Sequence, residues 1–165
     1  VRQDAVRRLD DAGGAPGRLA AWGRRCMPMT RCFEMSLQYG NDRTQFGRSI
    51  GKFQAVQHQL AVMAEHVAAA RIATAAAFRA GLAQPALLPA AIAKARASEA
   101  AALAANTAHA VHGAIGVTEE YDLQLYTRRL HGWRLAHGSE AYWHQVVGAA
   151  LMGSGDGAVQ FVRGL

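Results

Sequence analysis

The positions Phe53, Val56, Leu60, Met63, Val67, Thr74 and Phe78, nearly all apolar, follow one another at steps of three, four and seven. Such spacing gathers side chains on one face of a helix, whereas a strand sends alternate residues to opposite sides. A helix of this length must bury its stripe against other helices, and that constrains the chain to helix-on-helix packing. The spacing predicts an end near Gly81, with Pro85 and Pro89 punctuating the connection that follows.

After Pro89 comes AAIAKARASEAAALAANTAHAVH, ending at His112 and closed by Gly113; the chain holds 36 alanines, many of them here. Intrinsic propensity favours a helix over such a run, and its small side chains let neighbours approach closely. Upstream, Leu19, Trp22, Cys26, Met29, Phe33 and Leu37 predict a helix over 18–39, in which Pro28 should cost a hydrogen bond or bend the rod. Downstream, Asp122 is expected to cap a helix through His131 that Gly132 weakens, and Gly138 and Ser139 to open a last helix reaching about Met152. No convincing strand pair is visible. The expected fold is all-α, an antiparallel four-helix bundle over 18–152, its longer helices about 25 to 30 residues. Residues 1–17 are expected to be a linker or the end of a preceding module, and 153–165 a loosely held tail.

With 51% hydrophobic and 18% charged residues, the composition suits one domain with an adequate core and argues against disorder. No uncharged run approaches the roughly 20 apolar residues of a membrane span, so no membrane partner is expected. Cys26 and Cys32 are about 9 Å apart along one helix and cannot bridge within it. With no signal peptide either, a cytoplasmic setting is expected. The net charge of +6 comes from 16 arginines and only 2 lysines. The arginines are scattered, with no zinc-finger or RNA-binding signature, which argues against nucleic acid and leaves the phosphates of a dinucleotide or a coenzyme A ester.

Three clusters bear chemistry. In NDRTQFGRSIGKFQAVQHQL (41–60), Arg43, Thr44 and Gln45 with the backbone at Gly47 suit a phosphate, and Phe46 suits a flat ring; the alternative is a polar turn whose Phe46 plugs the core. In HAVHGAIGVTEEYDLQLYTRRL (109–130), Gly113 and Gly116 permit close approach of a ligand to backbone, or else simply end a helix. In HGWRLAHGSEAYWHQ (131–145), His137 or Glu140 suits proton transfer, the alternative being ordinary surface or core histidines beside Trp133 and Trp143. His137 and His144 are seven apart without a His-x-x-x-His pair or a cysteine cluster, so no metal is expected.

Taken in order, these blocks resemble the C-terminal helical domain of the acyl-CoA dehydrogenases. The signature R-x-x-F-G-x-x-I is met by Arg43, Phe46, Gly47 and Ile50, and F-Q-A-V-Q-H by residues 53–58; H-G-A-I-G-V-T follows from His112 to Thr118. The resemblance implies an FAD-dependent oxidoreductase that desaturates an acyl-CoA thioester, in the setting of lipid metabolism and fatty-acid β-oxidation. It further implies a homodimer or tetramer and reoxidation by an electron-transfer flavoprotein or similar acceptor. Arg43, Gln45 and Phe46 would meet the pyrophosphate and adenine of a neighbouring subunit's FAD, with Phe53, Gln54, His112, Gly113, Ala114 and Ser139 beside the cofactor. The family's usual base is a Glu in Y-E-G-T, which aligns with Ala136, His137, Gly138 and Ser139, so His137 stands in its place. The other position used for a base falls near Gly17, and a Gln usual two residues before H-G is Ala110. His137 and Glu140 are therefore the candidate bases. The rival reading is a non-catalytic helical-bundle subunit or interaction module that lacks the base and dimerises or docks onto a flavin-bearing partner; a further possibility is a subunit that only completes a neighbour's FAD site.

Overall fold

The computed structural model describes residues 15–79 and 86–164, with side chains from Cys26 onward. Six helices account for most of them: α1 (Ala15–Asp42), α2 (Gln54–Phe78), α3 (Leu87–His112), α4 (Leu123–Leu135), α5 (Glu140–Ser154) and the short α6 (Ala158–Arg163). Short 3-10 turns, Ile50–Lys52 and Gly113–Val117, lead into α2 and out of α3. The all-α bundle expected from the periodicity is what forms.

α3 is its axis. The helix packs against α1, α2, α4 and α5, and ten of its alanines, from Ala90 to Ala108, are buried. A methyl group keeps neighbouring helices no farther apart than their backbones require, so one helix can serve four partners. Larger side chains fill the space around it: Met29, Cys32 and Met35 from α1, Met63 and Val67 from α2, Leu123 and Leu130 from α4. Toward the other end, Trp143 and Val146 of α5 close over Ala91 and Ala95.

Boundaries differ from the expected ones for local reasons. α1 begins at Ala15, so the last three residues of the expected linker are helical; residues 1–14, Gly81 and Pro85 lie outside the described residues. Pro89 sits in the first turn of α3, where a missing N–H is tolerated. α4 runs through Gly132 to Leu135, and Asp122 makes no side-chain cap, its backbone being already helical. Ser139 does cap α5, accepting from the Tyr142 amide. In the expected tail, residues 158–163 form α6.

A two-residue strand pair corrects the expectation of none: β1 (Thr44–Gln45) pairs antiparallel with β2 (Arg48–Ser49) between α1 and α2. α2 also departs from the hydropathy reading, being long and apolar enough by length and composition to cross a membrane. It carries Glu65, His66 and Arg71 near its middle, and it turns Leu60, Met63, Val67, Ala70, Thr74 and Ala77 into the bundle.

Candidate functional site

The first cluster is a hairpin rather than a helix-to-helix turn. Its loop residues, Phe46 and Gly47, have φ of 52° and 75°, the positive pair that defines a type I′ connection. Phe at such a position is strained by about 1 kcal/mol or more. The ring does not plug the core: Phe46 is 92% exposed. Its edge meets Phe53 at a centroid distance of 6.2 Å, and the Arg48 guanidinium lies 4.1 Å over the Phe53 ring. Arg43 is exposed and, among the described residues, has no carboxylate partner; its backbone closes α1 through Tyr39 and receives the Ile50 amide at 2.8 Å. Gln45 and Gln54 are exposed as well. Phe53 provides no side-chain cap to α2, so the positive end of a 25-residue helix opens beside the hairpin. Arg43, Gln45, Phe46, Arg48 and Gln54 are thus all exposed along one short stretch that ends at a helix N-terminus.

The second cluster lies at the same end of the bundle. His112, at the end of α3, stacks on Tyr39 of α1 at 4.5 Å and tilts against Tyr121 at 5.1 Å. Its side chain is 3% exposed, and Nδ1 is 2.8 Å from the Ala108 carbonyl, so the proton is placed on Nδ1 to donate there. Burial holds the imidazole below its usual pKa, against the pull of that carbonyl. The imidazole is thus an internal anchor, and what the turn offers to a ligand is backbone: Gly113, with φ of 63°, and Ala114 are exposed.

The third cluster is a tight turn between α4 and α5. His137 is exposed and has φ of 64°, and Gly138 follows with φ of 102°. The buried Trp143 indole donates to the His137 carbonyl at 3.0 Å, and the Gly138 amide donates to Leu135 at 3.3 Å. A side chain at Gly138 would sit 2.9 Å from the Trp143 Nε1, so only glycine fits. Ser139 spends its hydroxyl on capping α5. Glu140 receives both Nε and a terminal nitrogen of Arg134, and this hydrogen bonding holds its carboxyl below the usual range.

These clusters do not form one site. The hairpin and the turn after His112 share one end of the bundle, while the His137 turn packs near Lys94, 18 residues back along α3, about 27 Å away. Sequence reasoning missed three contributors: Tyr39, which joins the first two clusters, Arg48, which covers Phe53, and Lys94, which reaches the end of α4. The scarcity of lysine was a usable signal for the last.

Among the described residues no group of three or more His, Cys, Asp or Glu side chains is placed to hold a metal ion.

Comparison with known proteins gives the same outline. Residues 14–152 match the family "Acyl-CoA dehydrogenase, C-terminal domain". Acyl-CoA dehydrogenase IpdE2 of Mycolicibacterium smegmatis is 42% identical over 103 residues, covering 62% of this chain and 32% of its own length. The glutaryl-coenzyme A dehydrogenase–glutaryl-CoA complex superposes with a TM-score of 0.73 at 31% identity, over 82% of this chain and 35% of the other. A chain of the ChsE4–ChsE5 complex from Mycobacterium tuberculosis gives 0.76 at 30%, over 85% and 38%. The chain spans about a third of the length of the IpdE2 relatives that it matches. A helical bundle built around an alanine axis, with R-x-x-F-G on a hairpin and H-G at the facing turn, belongs to the acyl-CoA dehydrogenase family, as its C-terminal domain.

Proposed function

We propose that this chain serves an FAD-dependent acyl-CoA dehydrogenase in two places at once. Its hairpin grips the pyrophosphate and adenine of a flavin held mainly by a neighbouring subunit, and its α4–α5 turn presents the acid–base group to an acyl-CoA thioester. The observation that carries this reading is the Phe46 ring, 92% exposed on a strained backbone, with exposed Arg43 and Arg48 three residues before and two after it in the chain. A bundle acting alone gains nothing from such an arrangement, whereas a nucleotide needs its parts: guanidinium donors for phosphate and a ring face for adenine. Gln45 and Gln54 and the exposed backbone of Gly113 and Ala114 complete the donor set, the Phe53 ring lies beside them, and His112 holds that backbone in place from beneath. Ser139 acts here through the capped start of α5.

Members of the family are flavoproteins, and a flavin, when bound, would supply the hydride acceptor for the substrate β-carbon. The residues of this chain handle the proton. Removal of the α-proton needs an accessible acceptor, and His137 stands on an exposed turn with a ring nitrogen of the kind that takes up a proton. Glu140 is the weaker candidate, because Arg134 stabilises its charged form and so lowers its basicity. The same reading takes the assembly to be a homodimer or tetramer in the cytoplasm, reoxidised by an electron-transfer flavoprotein or similar acceptor. That a similar structure is itself a complex, ChsE4–ChsE5, supports assembly between subunits.

Replacing Arg43 by Ala in the full assembly is expected to weaken FAD retention about 10- to 100-fold, as measured by flavin absorbance after dilution. Unchanged retention defeats the hairpin reading. A second reading is favoured by the histidine that stands where the family's glutamate would be: the chain completes a neighbour's flavin site and does no chemistry of its own. Acyl-CoA-dependent flavin bleaching separates the two, since wild-type rates in both His137→Ala and Glu140→Ala proteins would leave only the second.

A further inference from the structure

Of the two lysines in the chain, Lys52 is exposed and Lys94 is buried in the bundle, its residue 1% exposed. An ammonium in that position is costly unless its donors are used, and here they are. Nζ donates to Ser98 Oγ at 2.6 Å and to the Arg134 carbonyl at 2.9 Å, and Ser98 Oγ itself reaches the same carbonyl at 3.3 Å. Arg134 is the penultimate residue of α4, where the carbonyls carry the negative end of the helix and have no partner further along it. Its guanidinium meanwhile binds Glu140 in the first turn of α5. One residue is therefore tied by its backbone to α3 and by its side chain to α5, and the turn between is closed by the Trp143 indole on the His137 carbonyl.

Resting on the reading of His137 as the acid–base group, we infer that Lys94 is a positioning residue: its buried ammonium anchors the end of α4 and so sets the direction in which His137 leaves the chain. His137 has a left-handed φ, and Gly138 beside it has no room for a side chain. A non-glycine residue in that region costs about 1 kcal/mol or more, which the contacts on its two flanks offset. Trp143 fixes the following flank, and Lys94 with Ser98 fixes the preceding one. A merely packed side chain of similar volume would fill the space but leave the Arg134 carbonyl without its charged donor.

The test compares wild type with Lys94→Met and Ser98→Ala in the full assembly, the second variant serving if the first does not fold. Hydrogen exchange is followed at the Trp143 indole N–H and the Gly138 amide. Exchange there is expected to quicken at least 10-fold in Lys94→Met and about 3-fold in Ser98→Ala, with the amides of Ala104 and Ala105 unchanged. Flavin bleaching at saturating acyl-CoA is expected to slow about 10-fold in Lys94→Met with KM and FAD retention unaltered. Wild-type exchange at both probes overturns the inference, whatever the activity. So does faster exchange with undiminished bleaching in an enzyme that His137→Ala inactivates. If His137→Ala instead bleaches normally, the base assignment fails, and the anchoring by Lys94 is judged on exchange alone.

Discussion

Phe46 is the residue whose local cost is easiest to see. Type I′ turns favour Asn-Gly, and Phe-Gly places a bulky side chain where φ is 52°. Phe46→Asn is expected to stabilise the fold by about 0.5–1 kcal/mol in denaturant melts while weakening FAD retention, a pairing of effects expected only if the ring is kept for something outside the bundle. Histidines supply a second expectation at this scale. Burial lowers the pKa of His112 and of His109, the latter also through His131, so the folded chain binds fewer protons than the unfolded one just below the ordinary imidazole value of about 6.5. Their contribution to stability is complete above that value and is lost as the pH falls through it, by at most about 1.4 kcal/mol per unit for each group. Thermal midpoints should therefore drop between about pH 7.5 and pH 5.5, and drop less in His112→Phe, which keeps the ring stack with Tyr39.

Among the elements, the join between α1 and α2 is the most tightly specified. A side chain on Gly51 would come within 2.9 Å of the Gly40 carbonyl oxygen, which is backbone and cannot swing aside. Gly51→Ala is expected to cost about 1–3 kcal/mol in thermal or denaturant unfolding and to displace the hairpin, whereas Gly148→Ala, with open space around it, should be neutral or stabilising. The helices were legible because their periodicity records burial, and the stripe from Leu60 to Thr74 is the face that α2 turns inward. The hairpin was not legible: Thr44, Gln45, Arg48 and Ser49 are too few to show alternation, and Phe-Gly is an unusual turn pair. Nor did sequence order show that Tyr39 and His112 meet while His137 lies at the opposite end, because that follows from the antiparallel course of α3 and α4. The end of α4 was misjudged for a related reason, since packing of Leu130 and anchorage of Arg134 outweigh the helix-weakening effect of Gly132.

At the scale of the whole molecule, the two working ends cannot serve the same flavin if each neighbour's cofactor is gripped by the hairpin and each chain's own substrate meets its own turn. A mixed dimer of Arg43→Ala and His137→Ala subunits then has one site in which both defects fall and one in which neither does. Random mixing of the two proteins, at an FAD concentration that leaves the Arg43→Ala sites empty, is expected to restore about a quarter of wild-type bleaching, and a mixture no more active than its parents would count against sharing.

Alanine along α3 has a consequence for how such a chain can vary. Because four helices rest almost directly on its backbone, the bundle has little slack to absorb a change of register. One inserted residue would advance one end by about 1.5 Å and turn it by about 100° relative to the other. Side chains at either extremity are free to be exchanged for new substrates, but the count of residues between Lys94 and His112 acts as a ruler, and insertions or deletions there should be far more damaging than substitutions.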